Sequence, residues 1–183
     1  MTSTPPARRR LAGLIRWSFV ALLVLSAGCS IDEVQDLPYC TREGTGMIAA
    51  QSVPGAEQIP CFDSLPAGWG ADTVRVDQDG VRIDFDSDRA GDSAAVFRYA
   101  ATCDPDDAVP APSEFDGVER YDLIWSVRPR FVAERFYVVP GGCFWWRFDF
   151  DPGASAALSI ELGDRVSIIS RSDLNEQIRD TFM

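Results

Sequence analysis

The 183-residue chain contains no histidine and no lysine. Histidine is the commonest general base and the commonest metal ligand, because its unperturbed pKa lies near neutrality. Without it, Ser–His and Cys–His nucleophile pairs are excluded, and with them most hydrolytic mechanisms. No G-x-S-x-G turn presents a serine either. No C-x-x-C spacing exists to build a zinc site, so the expectation is no metal and no cofactor. Internal repeats are also absent. Arginine alone carries the positive charge, 17 residues against 28 acids.

That charge is unevenly distributed. The first 28 residues hold Arg8, Arg9, Arg10 and Arg16 and no acid, followed by the apolar run Trp17 to Leu25 and then Ser26, Ala27, Gly28 and Cys29. A basic stretch, a short apolar run and small residues, in that order, read as a cleavable export signal. A membrane-spanning helix needs about 20 apolar residues, and Arg16 cuts the uninterrupted run to roughly half of that.

Leu25-Ser26-Ala27-Gly28-Cys29 resembles the lipobox of bacterial lipoproteins. The resemblance implies diacylglyceryl transfer to the Cys29 sulfur, cleavage before Cys29, and N-acylation of the new amino terminus. Ser26 departs from the pattern, since leucine is commonest three residues before the cysteine. An uncleaved signal anchor and an ordinary secretory signal are the alternatives. Two or three acyl chains hold a protein durably on a bilayer where one does not, so the expected location is the outer face of the cell membrane. Residues 29–39 read as a lipidated, solvated tether. Arg8-Arg9-Arg10 also suits twin-arginine export, and the sequence does not separate that route from the general one.

The 155 residues left after cleavage suit one domain with a real core, placed at residues 40–183. They hold all 28 acids against 13 arginines, a formal charge of −15. Such a surface repels phosphate backbones, so nucleic acid is not an expected partner. Heavy use of Ala, Asp, Gly, Val and Arg points to a high-GC genome. The remaining cysteines, Cys40, Cys61, Cys103 and Cys143, are even in number in an exported chain and predict two disulfides. Three pairings are possible; the favoured one joins Cys40 to Cys61 and Cys103 to Cys143, because the latter two close strands expected to be neighbours.

Residues 40–72 are rich in turn formers, with one short strand expected at Met47 to Gln51. Thr73 to Gln78 and Val81 to Asp86 flank Asp79-Gly80, a dipeptide favoured in two-residue hairpin turns. Closing there sets Asp77 opposite Arg82, Arg75 opposite Asp84, Val76 opposite Ile83 and Val74 opposite Phe85. Further strands are expected at Ala94 to Ala101, Arg120 to Val127 and Phe131 to Val139, with an acidic, proline-punctuated connection from Asp104 to Gly117. After Pro140-Gly141-Gly142 comes Phe144 to Asp151. Its unbroken period of two puts Phe144, Trp146, Phe148 and Phe150 on one side and Trp145, Arg147, Asp149 and Asp151 on the other. Ala154 to Leu162 reads as a short helix ended by Gly163, Val166 to Ser170 as a strand, and Ser172 to Phe182 as an amphipathic helix capped by Ser172. The fold expected is α+β: a mainly antiparallel sheet of five to seven strands with one or two C-terminal helices covering one face. A β-sandwich is the alternative.

Two motif-like stretches fail on context. Asp84 to Asp92 spaces carboxylates like a calcium loop, yet Arg89 stands where an EF-hand needs glycine and Ala95 where it needs glutamate. Gly44-Thr45-Gly46-Met47-Ile48-Ala49 fits the text of a dinucleotide fingerprint without the strand–turn–helix unit that gives it meaning. The candidate ligand face is Trp145, Arg147, Asp149 and Asp151, where a tryptophan beside fixed polar groups suits a sugar ring. The competing reading has Trp145 covered by a helix or loop. Ile59-Pro60-Cys61, Leu65-Pro66-Ala67-Gly68-Trp69, Asp88-Arg89-Ala90-Gly91 and Gly141-Gly142-Cys143 resemble segments of a group of actinobacterial exported proteins of unknown function, which implies no activity. The leading expectation is a lipid-anchored, non-catalytic envelope module binding a partner protein or wall polysaccharide. A small carboxylate-dependent envelope hydrolase is the alternative.

Overall fold

The computed structural model describes residues 37–40 and 45–182; the expected export segment, Cys29 and most of the expected tether lie outside them, as do the side chains of Thr45, Met47, Ile178, Asp180, Thr181 and Phe182. The elements run α1 (Thr45–Ser52), β1 (Gln58–Phe62), β2 (Trp69–Asp77), β3 (Gly80–Ser87), β4 (Gly91–Ala100), β5 (Val109–Ala111), β6 (Glu119–Ser126), β7 (Val132–Val139), β8 (Gly142–Asp149), α2 (Ala157–Gly163), β9 (Val166–Ser170) and α3 (Arg171–Phe182). Seven strands form one antiparallel sheet in the order β2-β3-β4-β8-β7-β6-β5, and β1 pairs with β9 in a separate ribbon.

Strict alternation builds the inner face of the large sheet. Val81, Ile83 and Phe85 of β3, Phe97 and Tyr99 of β4, and Phe144, Trp146 and Phe148 of β8 are all buried. Phe62 of the ribbon packs on Phe85, Phe97 and Trp146, with ring centroids 5.7, 5.2 and 6.0 Å away. Leu158 and Leu162 of α2 join the same core. The fold is therefore α+β with a seven-stranded sheet, as expected. The layer over the inner face is a two-stranded ribbon with α2, not the second full sheet of a sandwich. Burial also pushes the Tyr99 phenol up to about 12, the response of an ionisable group cut off from water.

Both expected disulfides form: Cys40 with Cys61, Cα atoms 5.0 Å apart, and Cys103 with Cys143, 6.1 Å apart. The second ties the connection after β4 to β8, its sheet neighbour. The acidic connection is less irregular than expected, since Val109–Ala111 adds a short edge strand against β6.

Three local expectations are corrected. Met47 to Gln51 lies within helix α1, not in a strand. Two consecutive alanines, Ala49 and Ala50, favour helix, and the end of α1 is secured from afar. Arg171 donates from Nη2 to the carbonyls of Ala50 (3.0 Å) and Val53 (2.8 Å) and from Nε to that of Ala56 (2.7 Å). A cation at a helix C-terminus satisfies orphan carbonyls and suits the dipole. No local pattern announces such a contact.

The β2–β3 hairpin exists, but its turn is Gln78-Asp79, which pairs Asp77 with Gly80, Val76 with Val81, Arg75 with Arg82 and Val74 with Ile83. Faces are kept because the partner moves by two residues, whereas the two opposite-charge pairs are lost. Asp77 Oδ1 accepts the Asp79 N–H at 2.8 Å and sets the turn. Gly80, at φ +127°, then lies so close to β4 that a Cβ would stand 2.0 Å from the Tyr99 carbonyl oxygen. Only glycine fits there, and it is needed inside the ladder rather than in the turn. The last helix begins at Arg171, and Ser170 Oγ accepts the Asp173 N–H at 3.1 Å, so Ser170 caps it rather than Ser172.

Candidate functional site

The outer face of the large sheet holds the site. Alternation sends Arg82 of β3, Val96 and Arg98 of β4, Trp145 and Arg147 of β8, and Glu134 of β7 outward, and these six line a recess of about 380 Å³. The register explains the grouping. Trp145 stands between Arg98 and Phe136, and Arg147 between Val96 and Glu134. Val96 is short among long neighbours, and so forms the floor.

Trp145 is half-buried. Phe136 stacks on it at 6.3 Å and 20°, while the Arg98 guanidinium lies 5.9 Å from its ring. That places a rigid aromatic surface beside charged groups, with part of the indole open to solvent. The reading in which Trp145 is wholly covered does not hold.

Charge in the recess runs opposite to the rest of the chain: three guanidiniums face one carboxylate. Arg82 is engaged, its Nη2 lying 2.6 Å from Asp84 Oδ1. Arg98 and Arg147 have no hydrogen-bond partner among the described residues. Burial raises the pKa of Glu134 above the usual glutamate range, opposed by Arg147 and Arg98.

The four residues of the expected ligand face divide into two pairs. Trp145 and Arg147 share the recess. Asp149 is ion-paired with Arg130. Asp151 lies beyond the strand end, where its carboxylate crowds Gly91 at the β3–β4 turn and its N–H bonds the Ala90 carbonyl at 2.8 Å. Arg82, Val96, Arg98 and Glu134 escaped sequence reasoning, because each joins the recess only across strands, Arg82 by way of Arg98.

A second polar cluster lies on the inner side, under β6 and β7. Arg120 forks onto Asp122 (2.7 and 3.1 Å) and reaches Glu114 (3.1 Å), Arg135 Nε donates to Asp122 (3.2 Å), and Tyr137 donates its hydroxyl proton to Glu114. Burial, then the bond to Glu114, raises the Tyr137 pKa. Burial works against the Arg120 charge, yet Asp122, Tyr137 and Glu114 hold its pKa above the ordinary value. Both carboxylates are committed to guanidiniums, which is a closed network that ties β6, β7 and the preceding loop together. A carboxylate hydrolase needs one acid kept protonated near a second that is ionised, and this pair is not arranged so.

Of the acids in residues 84–92, Asp84, Asp86 and Asp88 each have a separate partner. Asp84 holds Arg82, Asp86 Oδ1 accepts the Ser93 N–H at 2.7 Å, and Asp88 flanks Arg89, whose guanidinium forks onto Glu161. The segment 65–69 meets 88–91 here, since Arg89 also bonds the Ala67 carbonyl and the Asp88 N–H that of Gly68. Among the described residues no group of three His, Cys, Asp or Glu could hold a metal ion. No helix among them is long and apolar enough to cross a membrane.

No family model, no curated protein and no solved structure matches this chain.

Proposed function

We propose that this chain is the precursor of a lipoprotein, cleaved before Cys29 and anchored there by lipid to the outer face of the cell membrane, and that its domain is a non-catalytic module binding a wall saccharide. The export-like first 28 residues and the lipobox-like Leu25 to Cys29 support the anchor. One observation carries the binding reading: the half-open Trp145 ring, braced by Phe136, in a recess with polar groups around its rim. Aromatic faces bind the apolar faces of sugar rings, while polar neighbours fix orientation.

Two measurements test the two halves of this reading. Intact mass spectrometry of the membrane-extracted protein is expected to show cleavage before Cys29 and an acyl mass; an unmodified full-length chain refutes the anchor. Binding of isolated wall polysaccharide is expected to be strong for the wild-type chain and lost in Trp145→Ala. Undiminished binding by that variant removes the recess from the site, and pull-down of an envelope protein in its place makes the ligand a protein.

A further inference from the structure

We infer that the recess recognises an acidic saccharide, with the sugar ring on Trp145 and its acid group held by Arg98 and Arg147. This rests on the saccharide-binding reading above and adds the charge of the ligand.

In the described part of the molecule Arg82, Arg89, Arg120, Arg130, Arg135 and Arg171 have carboxylate or carbonyl partners; Arg75, Arg128 and Arg165 have no such hydrogen bond or ion pair, but they lie outside the recess. Arg98 and Arg147 hold no such bonds, although they occupy the recess together on adjacent strands, Arg98 opposite Trp145 and Arg147 two residues beyond Trp145 along β8. Each guanidinium carries donors in a planar fork matched to a carboxylate or phosphate. A neutral sugar has no use for two unpartnered forks in the recess that holds the ring. In a mature chain of formal charge −15, a local excess of positive charge at the aromatic platform selects ligand sign. Remote acids contribute little against it, because screening at physiological salt acts within about 8 Å.

Glu134 sharpens the inference. It lies directly across from Arg147 in the ladder, and both Arg147 and Arg98 favour its charged form. It is the resident negative charge beside those two cations, and it repels an incoming carboxylate. Removing it should therefore tighten the acidic ligand, whereas removing either arginine should loosen it. A face that merely offered Glu134 as an acceptor for sugar hydroxyls would show the opposite sign.

The test uses the full chain in detergent and three probes: an oligogalacturonate, the same oligomer with its carboxylates methyl-esterified, and poly(glycerol phosphate), which has charge without a ring. The oligogalacturonate is expected to bind at least about tenfold more tightly than its ester, the size of one good charge-assisted contact. Arg98→Gln and Arg147→Gln should each lose about that factor for the acid and lose less for the ester, so that the acid-to-ester ratio falls, and Glu134→Gln should raise that ratio. Equal binding of acid and ester overturns acid recognition while leaving saccharide binding intact. Binding of neither oligomer overturns both. Binding of poly(glycerol phosphate) as tight as the acid, and undiminished in Trp145→Ala, also overturns the proposal, since the ring would then play no part. Near-native thermal unfolding of the Gln variants keeps these readings separate from a failure to fold.

Discussion

Trp145 and Trp146 are neighbours in sequence and opposites in fate. Trp146 is fully buried, with Phe62, Phe85, Phe97 and Phe148 around it. Trp145, on the other side of the same strand, keeps a partly open ring between Phe136 and Arg98. One peptide bond separates a residue that holds the fold from one available to a ligand. Strand parity divides β8: its inner side is filled with packed rings, and its outer side carries the half-open ring and the charged recess where we propose that a ligand binds.

The largest expected effect is on the filled side. Trp146→Ala should cost about 3–5 kcal/mol in urea unfolding. A cost below about 1 kcal/mol would break the contrast at its stronger end. Next comes the cross-link anchored at the first residues of the same strand. Replacing Cys103 and Cys143 together by serine opens a 40-residue separation and should lower stability by about 2–4 kcal/mol, read in the same assay. Asp122→Asn leaves Arg120 and Arg135 without their shared carboxylate; the group is partly exposed, so the expected loss is about 2 kcal/mol, with no change in saccharide binding. If binding moved with it, the two faces would be coupled.

The outer side should give the smallest effects on stability. Trp145→Ala is expected to cost about 1 kcal/mol or less and to remove ligand binding, the reverse of its neighbour. Glu134→Gln should show a pH signature. Burial raises the folded-state pKa of Glu134, so the folded chain holds that proton more tightly than the unfolded one. The stabilisation this gives is complete below the ordinary glutamate pKa and is lost as pH rises through the raised value. The variant should therefore gain stability relative to the wild type from about pH 4 upward to neutrality, measured by thermal unfolding across that range. A difference independent of pH would mean that Glu134 is fully solvated.

Much of the architecture was legible in the chain because it repeats with a short period. Phe144 to Phe150 alternates without a break, and β7, β8, α2 and β9 fall close to where periodicity and turn residues put them. What was not legible depended on partners far away in sequence. Helix α1 sits where a strand was expected, with its end held by Arg171, more than a hundred positions distant. The hairpin kept its faces yet moved its pairing, since the fit of Gly80 against Tyr99 belongs to β4 and not to the turn. Trp145 and Arg147 were picked out from one strand alone, but Asp149 and Asp151 did not stay with them, and the recess needed Arg82, Val96, Arg98 and Glu134 from three other strands.

By itself the sequence determined an export-like beginning, a histidine-free chemistry, an acidic exterior, two cysteine pairs and an α+β body, because each of these follows from composition or from patterns a few residues long. Only the tertiary structure decided which arginines are spent and which are not. That distinction is made by strand order: β4 and β7 flank β8 from different parts of the chain, and only their meeting sets Arg98, Trp145, Arg147 and Glu134 in one place.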